Sequence, residues 1–551
     1  MGKLSKEYRC YGPPGTGKTS WLSRQVERGA EVYGPHRILV ASFTRAAVAE
    51  LNRRQLPIPE NMVGTLHAIC YRGLGNPEIC ETRKHFQAFS EENPQWSLTE
   101  GTRDSLDDGN SSGESTSRGD TYLREYARLR NMLRPRELWS PSLIEFARRW
   151  EGYKSETGTM DFTDLIETAL NDLENPPGLP DVGFIDEAQD LKPLEFALVR
   201  KWGEKFDRFV VVGDDNQCIY SWSGADPANL LTPLPPENIK ILKYSYRVPK
   251  AVHTLAENII CKIPEPYRQA KEYHPRCDLS NECEEKHCPC DRYIAQGGEV
   301  RRIGVSFKNP ESLIAVAENF TKKNQSVLFL ASCSYMLTPL LSALRTAGLP
   351  FANPYRRKRR DWNPLLKVRD QISAGERVRA FLTAFEQWDT SLWTPTNLRL
   401  WLELTKGVLH RGGKEKLLNL SGDNLIPVKD LLEIMPLTEV VQAQKEGLTW
   451  LQTKLNKQWE HSASYAIRVA EREPENLRGE PLILIGTVHS VKGGEADHVI
   501  LSPDISPQAT RQLMAGNTGR HELLRLFYVA VTRARESLTL AAPSGRMAMP
   551  L

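Results

Sequence analysis

Apolar residues fall along the chain in short unbroken runs that end in turn residues: RILVASF (37–43), VGFIDE (182–187), RFVVVGDD (208–215), SVLFLAS (326–332), LILIGTV (482–488) and HVILSPD (498–504). Runs of this length without polar alternation predict strands buried on both faces, as in parallel sheets covered by helices. The segments between them carry helix-like spacing, so an α/β fold is expected. One group of runs precedes about residue 215 and another follows about residue 325, which predicts two sheet domains.

Two long helix-patterned stretches interrupt these groups. Residues 75–155, including YLREYARLRNMLRPRELW, are expected to form a helical insertion in the first domain. Within it, GTRDSLDDGNSSGESTSRGD (101–120) has Leu106 as its one large apolar residue and is expected to stay mobile, because it buries too little to offset its ordering entropy. Residues 370–478 interrupt the second domain in the same way. The predicted organisation is therefore 1–74 with 156–240 as the first sheet domain and 241–369 with 479–551 as the second.

At 551 residues the chain exceeds one ordinary core, and roughly 100 to 200 residues per domain implies several compact units. Its 40% apolar and 26% charged content is that of a globular protein. A net charge of +3 leaves any nucleic-acid contact to local clusters in a groove. MGKLSKEYRCYGPP has no signal-like apolar stretch, and ten cysteines follow no disulfide framework, so a cytoplasmic protein without a membrane partner is expected.

The first chemistry lies at GPPGTGKTS (12–20), which satisfies G-x-x-x-x-G-K-[ST] after the strand-like EYRCY and before a helical run. The backbone of Gly12, Pro13, Pro14, Gly15, Thr16 and Gly17 would wrap phosphate oxygens, with Lys18 neutralising them and Thr19 and Ser20 opening the helix. Asp186 and Glu187 follow an apolar strand, where a sheet's carboxyl edge meets a bound nucleotide. Thr19 and Asp186 would hold Mg²⁺, and Glu187 would deprotonate the water attacking a γ-phosphate. In VVGDDNQCIYSWSGADP (211–227), Gln217 is placed to sense that phosphate, and Tyr220 and Trp222 are expected as exposed rings on which bases stack.

ASFTRAAVAEL, VGTLHAICYR, MDFTDL, IDEAQDL, GDDNQCIYSWSGADP, KYSYRVP, GTVHSVKGGEADHVIL and RLFYVAVTRARESL occur in the order seen in the UvrD/Rep family of superfamily 1 DNA helicases, which the chain resembles from residue 12 to about 540. The resemblance implies two RecA-like domains with ATP between them. It implies that Arg247 and Arg533 contact the γ-phosphate, that Tyr246 stacks on adenine and that Glu495 touches the ribose. For DNA it implies Phe43, Thr44, Arg45, His67, Trp222, Thr487 and His489, beside Tyr220 from the segment above. The implied activity is ATP-dependent 3′ to 5′ movement on single-stranded DNA with unwinding of tailed duplexes, in repair, replication or recombination. Alternatives are a translocase that does not unwind, and an ATP-switched DNA-binding subunit of a larger assembly. Ser223 stands where relatives usually have Arg after the Trp.

Two clusters stand outside this pattern. YHPRCDLSNECEEKHCPC (273–290) offers Cys277, Cys283, Cys288 and Cys290, with His274 and His287 nearby, as a set for Zn²⁺. The irregular spacing favours a reduced flexible loop over zinc. YRRKRRDW (355–362) holds five consecutive basic residues, by default a solvated run and otherwise a phosphate-contact patch.

Overall fold

The computed structural model describes residues 6–43, 45–99, 117–277, 295–357, 359–366, 372–385, 393–420 and 424–551, without the side chains of Arg45, Ala46 and Ala515. Among the described residues the strands form two sheets of six, with every pairing parallel.

The first sheet contains β1 (Glu7–Tyr11), β2 (Ile38–Ser42), β3 (Val63–Thr65), β4 (Val182–Asp186), β5 (Arg208–Gly213) and β6 (Ile239–Ile241), in the order β3-β2-β4-β5-β1-β6. Its unbroken apolar runs are explained by burial on both faces. Ile38, Val40, Val182, Phe184, Val210 and Val212 pack on one side with Trp21, Leu22 and Val26 of the helix Lys18–Tyr33. The alternate residues Leu39, Ala41, Ile185, Phe209 and Val211 pack on the other with Phe196, Leu198 and Trp202. Period-two geometry thus divides each run between two cores.

The second sheet contains β7 (Glu299–Arg302), β8 (Val327–Ala331), β9 (Phe351–Ala352), β10 (Ile483–Thr487), β11 (Ala496–Leu501) and β12 (Ala534–Leu540), in the order β7-β12-β11-β8-β10-β9. It begins at Glu299, before the expected point near 325. The reason is that β7, EVRR, is an exposed charged edge strand with no apolar run to reveal it.

Helices between β3 and β4 carry an aromatic core of their own, built from Phe86, Phe89, Tyr126, Phe146, Trp150 and Tyr153. By contrast, the helices between β9 and β10 share one core with the second sheet: Phe381, Trp401 and Trp450 join the cluster that includes Val327, Phe329 and Ile485. Of the stretch expected to be mobile, 101–116 lie outside the described residues. Residues 117–120 correct that expectation, since Ser117 and Asp120 form a reciprocal capping box at the start of the helix Arg118–Asn131. Polar composition concealed a helix start. Among the described residues no helix is long and apolar enough to cross a membrane.

Candidate active site between the two sheets

The phosphate loop leaves β1 and enters the helix Lys18–Tyr33. Gly15 and Gly17 have φ of 75° and 77°, which L side chains rarely adopt, and a Cβ on Gly12 would lie 2.2 Å from Lys18 Cγ. Both constraints explain glycine there. Lys18 Nζ donates to Gly12 O at 2.8 Å, so its ammonium is already folded over the loop. The Gly12 N–H donates to Gly213 O at 3.0 Å, tying the loop to the end of β5.

Asp186 ends β4, and its Oδ1 is buried with no hydrogen-bond partner among the described residues. Burial, reinforced by the neighbouring Glu187, pushes its carboxyl up to about 7. An unsatisfied carboxylate oxygen near a threonine-bearing helix start is a donor set that suits a hard divalent cation. Glu187 follows in the left-handed region, φ 51°. Burial alone would raise its carboxyl, but Lys18 and Lys492 outweigh it and hold the group below the usual range. Gln189 Nε2 donates to Glu187 Oε2 at 2.5 Å and orients it.

Gln217 joins the two sheets. Its Nε2 donates to Asp214 Oδ2 at 2.8 Å, while Arg533 of the second sheet domain stands 3.5 Å from its Oε1. Arg533 is buried, and burial together with the neighbouring Arg247 pushes its guanidinium down to about 9. Its donors reach the carbonyls of Val529 at 2.9 Å and Gly494 at 3.2 Å. A buried cation beside a second cation favours an incoming anion. Arg247 itself pairs with Glu495 at 2.5 Å, and Arg535 holds the other oxygen of Glu495 at 3.3 Å.

The second domain also grips the phosphate loop directly. Tyr246 donates its N–H to Gly15 O at 2.8 Å, and Pro14 O accepts from Ser245 Oγ at 3.0 Å and from the Tyr273 hydroxyl at 2.8 Å. The ring of Tyr246 is partly exposed beside Gly17. Lys492 pairs with Asp190 across the two sheets and donates to Gln217 O at 3.0 Å. Ser245, Lys271, Tyr273, Lys492, Asp190 and Gln189 escaped the sequence reading. Four of them lie inside the family motifs quoted above and Tyr273 opens the cysteine-rich segment, but neither Tyr273 nor Lys271 belongs to a pattern that points to this site.

The expected DNA residues are brought together in part. Phe43, Tyr220, Trp222 and His489 form a ring cluster with centroids 5.5 to 6.4 Å apart. One expectation is corrected: Tyr220 is buried, 7% exposed, and its hydroxyl donates to His489 O at 3.3 Å. Residues 218–220 fold into the second domain's core, which removes the ring from solvent. Trp222 is half-buried, and its indole N–H is buried without a partner among the described residues. Thr487, implied for DNA by the resemblance, is fully buried, and its hydroxyl accepts the Ser490 N–H at 3.2 Å. His67 lies apart, 3.9 Å from Glu195 and edge-on to Phe162. Thr44 lies outside the described residues, as does the side chain of Arg45.

Cys277 is a buried thiol bridging by backbone to Ala295, whereas Cys283, Cys288 and Cys290 lie outside the described residues. Among the described residues no group of three or more His, Cys, Asp or Glu has metal-binding geometry. In the basic run, Arg357 pairs with Glu480 at 3.2 Å and Arg359 stacks 4.1 Å over Trp362.

A phosphate loop and an acidic strand end in one sheet, completed by two arginines from another, set the context for comparison with known proteins. The sequence model of the UvrD/REP helicase N-terminal domain matches residues 3–234, and that of the UvrD-like helicase C-terminal domain matches residues 142–544. The chain belongs to the UvrD-like helicase family. This helicase is 22% identical over 602 aligned residues to the ATP-dependent DNA helicase PcrA of Staphylococcus aureus (strain MRSA252), covering 97% of the chain and 80% of that relative. PcrA of Staphylococcus epidermidis (strain ATCC 12228 / FDA PCI 1200) is 26% identical over 276 residues, 45% of the chain and 37% of the relative. The two sheets of this UvrD-like helicase are its RecA-like domains, and Gln217 with Arg533 marks their shared boundary.

Proposed function

We propose that this UvrD-like helicase hydrolyses ATP between its two sheets and uses the resulting closure to move 3′ to 5′ along single-stranded DNA, unwinding tailed duplex. The observation that carries the reading is the pair Arg533 and Gln217: a buried, depressed guanidinium from one domain faces a γ-phosphate sensor on the other.

In this mechanism the loop Gly12–Gly17 and the Lys18 ammonium hold the β- and γ-phosphates. Thr19 and Asp186 would hold Mg²⁺, which supplies charge neutralisation at the phosphate oxygens. Glu187, kept ionised by Lys18 and Lys492, takes the proton of the attacking water. Gln217 orients that water, and Arg247 and Arg533 stabilise the charge developing on the γ-phosphoryl group. The phosphate competes with Glu495 for Arg247, so nucleotide arrival would release Glu495 toward the ribose. Tyr246, fixed through its N–H to the loop, offers its exposed ring to adenine.

Stacking of DNA bases falls to Trp222 and Phe43, both partly exposed. His489 and Tyr220 support those rings from behind, linking the strand to the nucleotide site through Lys492, which lies 5.1 Å over the Tyr220 ring.

The test is strand displacement on duplexes bearing a 3′ or a 5′ single-stranded tail, with ATP. Displacement from the 3′-tailed substrate alone is expected. Displacement from the 5′ tail would contradict the polarity, and stimulated hydrolysis without displacement from either would favour a translocase that does not unwind.

A further inference from the structure

We infer that Lys271 is a positioning residue for ATP hydrolysis: it fixes Asp214 and, through Asp214, the side-chain amide of Gln217. The inference rests on the proposed role of Gln217.

Lys271 is nearly inaccessible, with 2% of its side chain exposed, and its Nζ lies 2.8 Å from Asp214 Oδ1 and also pairs with Asp215. Both carboxylates are fully buried. The ammonium sits 5.4 Å from the ring of Tyr11, the residue that ends β1 and leads into the phosphate loop. Burial alone would discharge a lysine, but the two aspartates more than compensate and hold it charged. This cation is therefore built into the floor of the site.

Asp214 engages both of its oxygens. Oδ1 accepts from Lys271 and from the Asn216 N–H at 3.2 Å, and Oδ2 accepts Gln217 Nε2 at 2.8 Å. An ionised carboxylate accepts and never donates, so Gln217 must turn its NH₂ toward Asp214 and its Oε1 the other way. On that side stands Arg533, 3.5 Å from Oε1. The direction of the sensing oxygen thus depends on the ionisation of Asp214, which burial opposes and Lys271 secures.

Without Lys271, burial of Asp214 would be opposed only by the more weakly acting Lys18 and the Gln217 amide, and its carboxyl would take up a proton more readily. A protonated Asp214 can donate, so the amide is left to the weaker hold of Gly12 O and Arg533, each 3.5 Å away, to keep its direction. Lys271 arrives on a strap from the second domain: Arg525 donates to Tyr267 O at 2.6 Å, Gln269 N–H to Asp215 Oδ2 at 3.0 Å, and Tyr273 to Pro14 O.

The experiment measures kcat and KM for ATP, with saturating single-stranded DNA, for wild type, Lys271→Met, Asp214→Asn, Gln217→Ala and the double variant Lys271→Met with Gln217→Ala. Lys271→Met and Asp214→Asn are each expected to lower kcat by about tenfold or more, with KM within about twofold of wild type. The double variant should be no slower than Gln217→Ala alone, because the two residues act through one amide. A double variant slowed by the product of the two single effects would overturn the inference, as would normal kcat in Lys271→Met and Asp214→Asn. Should Lys271→Met fail to fold, Asp214→Asn decides alone, since it keeps Lys271 paired with Asp215 and removes only the carboxylate that directs the amide. Normal turnover in Gln217→Ala would instead overturn the role of Gln217 itself, whatever Lys271 does.

Discussion

Glu187 owes its readiness as a base to a balance of opposing effects. Burial favours its neutral form, yet Lys18 and Lys492 leave it ionised below the usual carboxylate range, while Asp186 next to it is pushed up to about 7. The pair is separated in proton affinity by its surroundings, a pattern that assigns different tasks to adjacent acids. Glu187→Gln preserves shape and the contact to Gln189 but cannot take a proton. Single-turnover phosphate release with single-stranded DNA should fall by about a hundredfold or more, while binding of a fluorescent ATP analogue persists. Unchanged release would contradict the base assignment. At this scale, legibility in the sequence followed spacing. Gly12 to Thr19 and Asp186 with Glu187 are contiguous, so their chemistry could be read directly. Lys271 and Tyr273 reach the same site from more than 250 positions downstream of the phosphate loop, and no local pattern announces a partner that distant.

Among the elements, most central strands were readable because burial on both faces writes an unbroken apolar run, whereas β12, ARESLTL, lies between β7 and β11 with its first half polar and went unread. Edge strands such as β7 and the short β3, β6 and β9 carry no such signature. The aromatic segment after β5 misled for a related reason: an exposed stacking ring and a ring buried in a neighbouring domain have the same composition, and Tyr220 is the second kind. The first helical insertion is fastened by a different device. Asp161 caps the helix Phe162–Asp172 by accepting the Asp164 N–H at 2.8 Å, and it also receives Lys154 at 2.6 Å and Arg130 at 3.2 Å, all buried. Asp161→Ala removes the cap and leaves two buried cations short of a partner, so a loss of about 3 kcal/mol or more is expected in urea unfolding. A change under about 0.5 kcal/mol would mean that the network contributes nothing to the fold.

At the scale of the whole molecule, the sheets are joined by contacts that also serve the site: Lys492 with Asp190, Arg533 with Gln217, and His489 with Ile219 and Tyr220. His489 gives this junction a pH dependence. Burial pushes its imidazole down to about 4 from an ordinary 6.5, so the unfolded chain binds the proton more readily than the folded one. Its contribution is complete above pH 6.5 and is lost as pH falls toward 4, up to about 3 kcal/mol. His489→Gln should flatten the decline of urea stability across that interval, and an unchanged slope would contradict the buried neutral state. The central claim, however, is that the nucleotide site is complete only with groups from both sheets. It is tested most directly by ATP turnover of Arg533→Ala against wild type under saturating single-stranded DNA. Stimulated turnover lost by about a hundredfold or more, with ATP still bound, is the predicted result; turnover equal to wild type would mean that the first sheet hydrolyses ATP without the second.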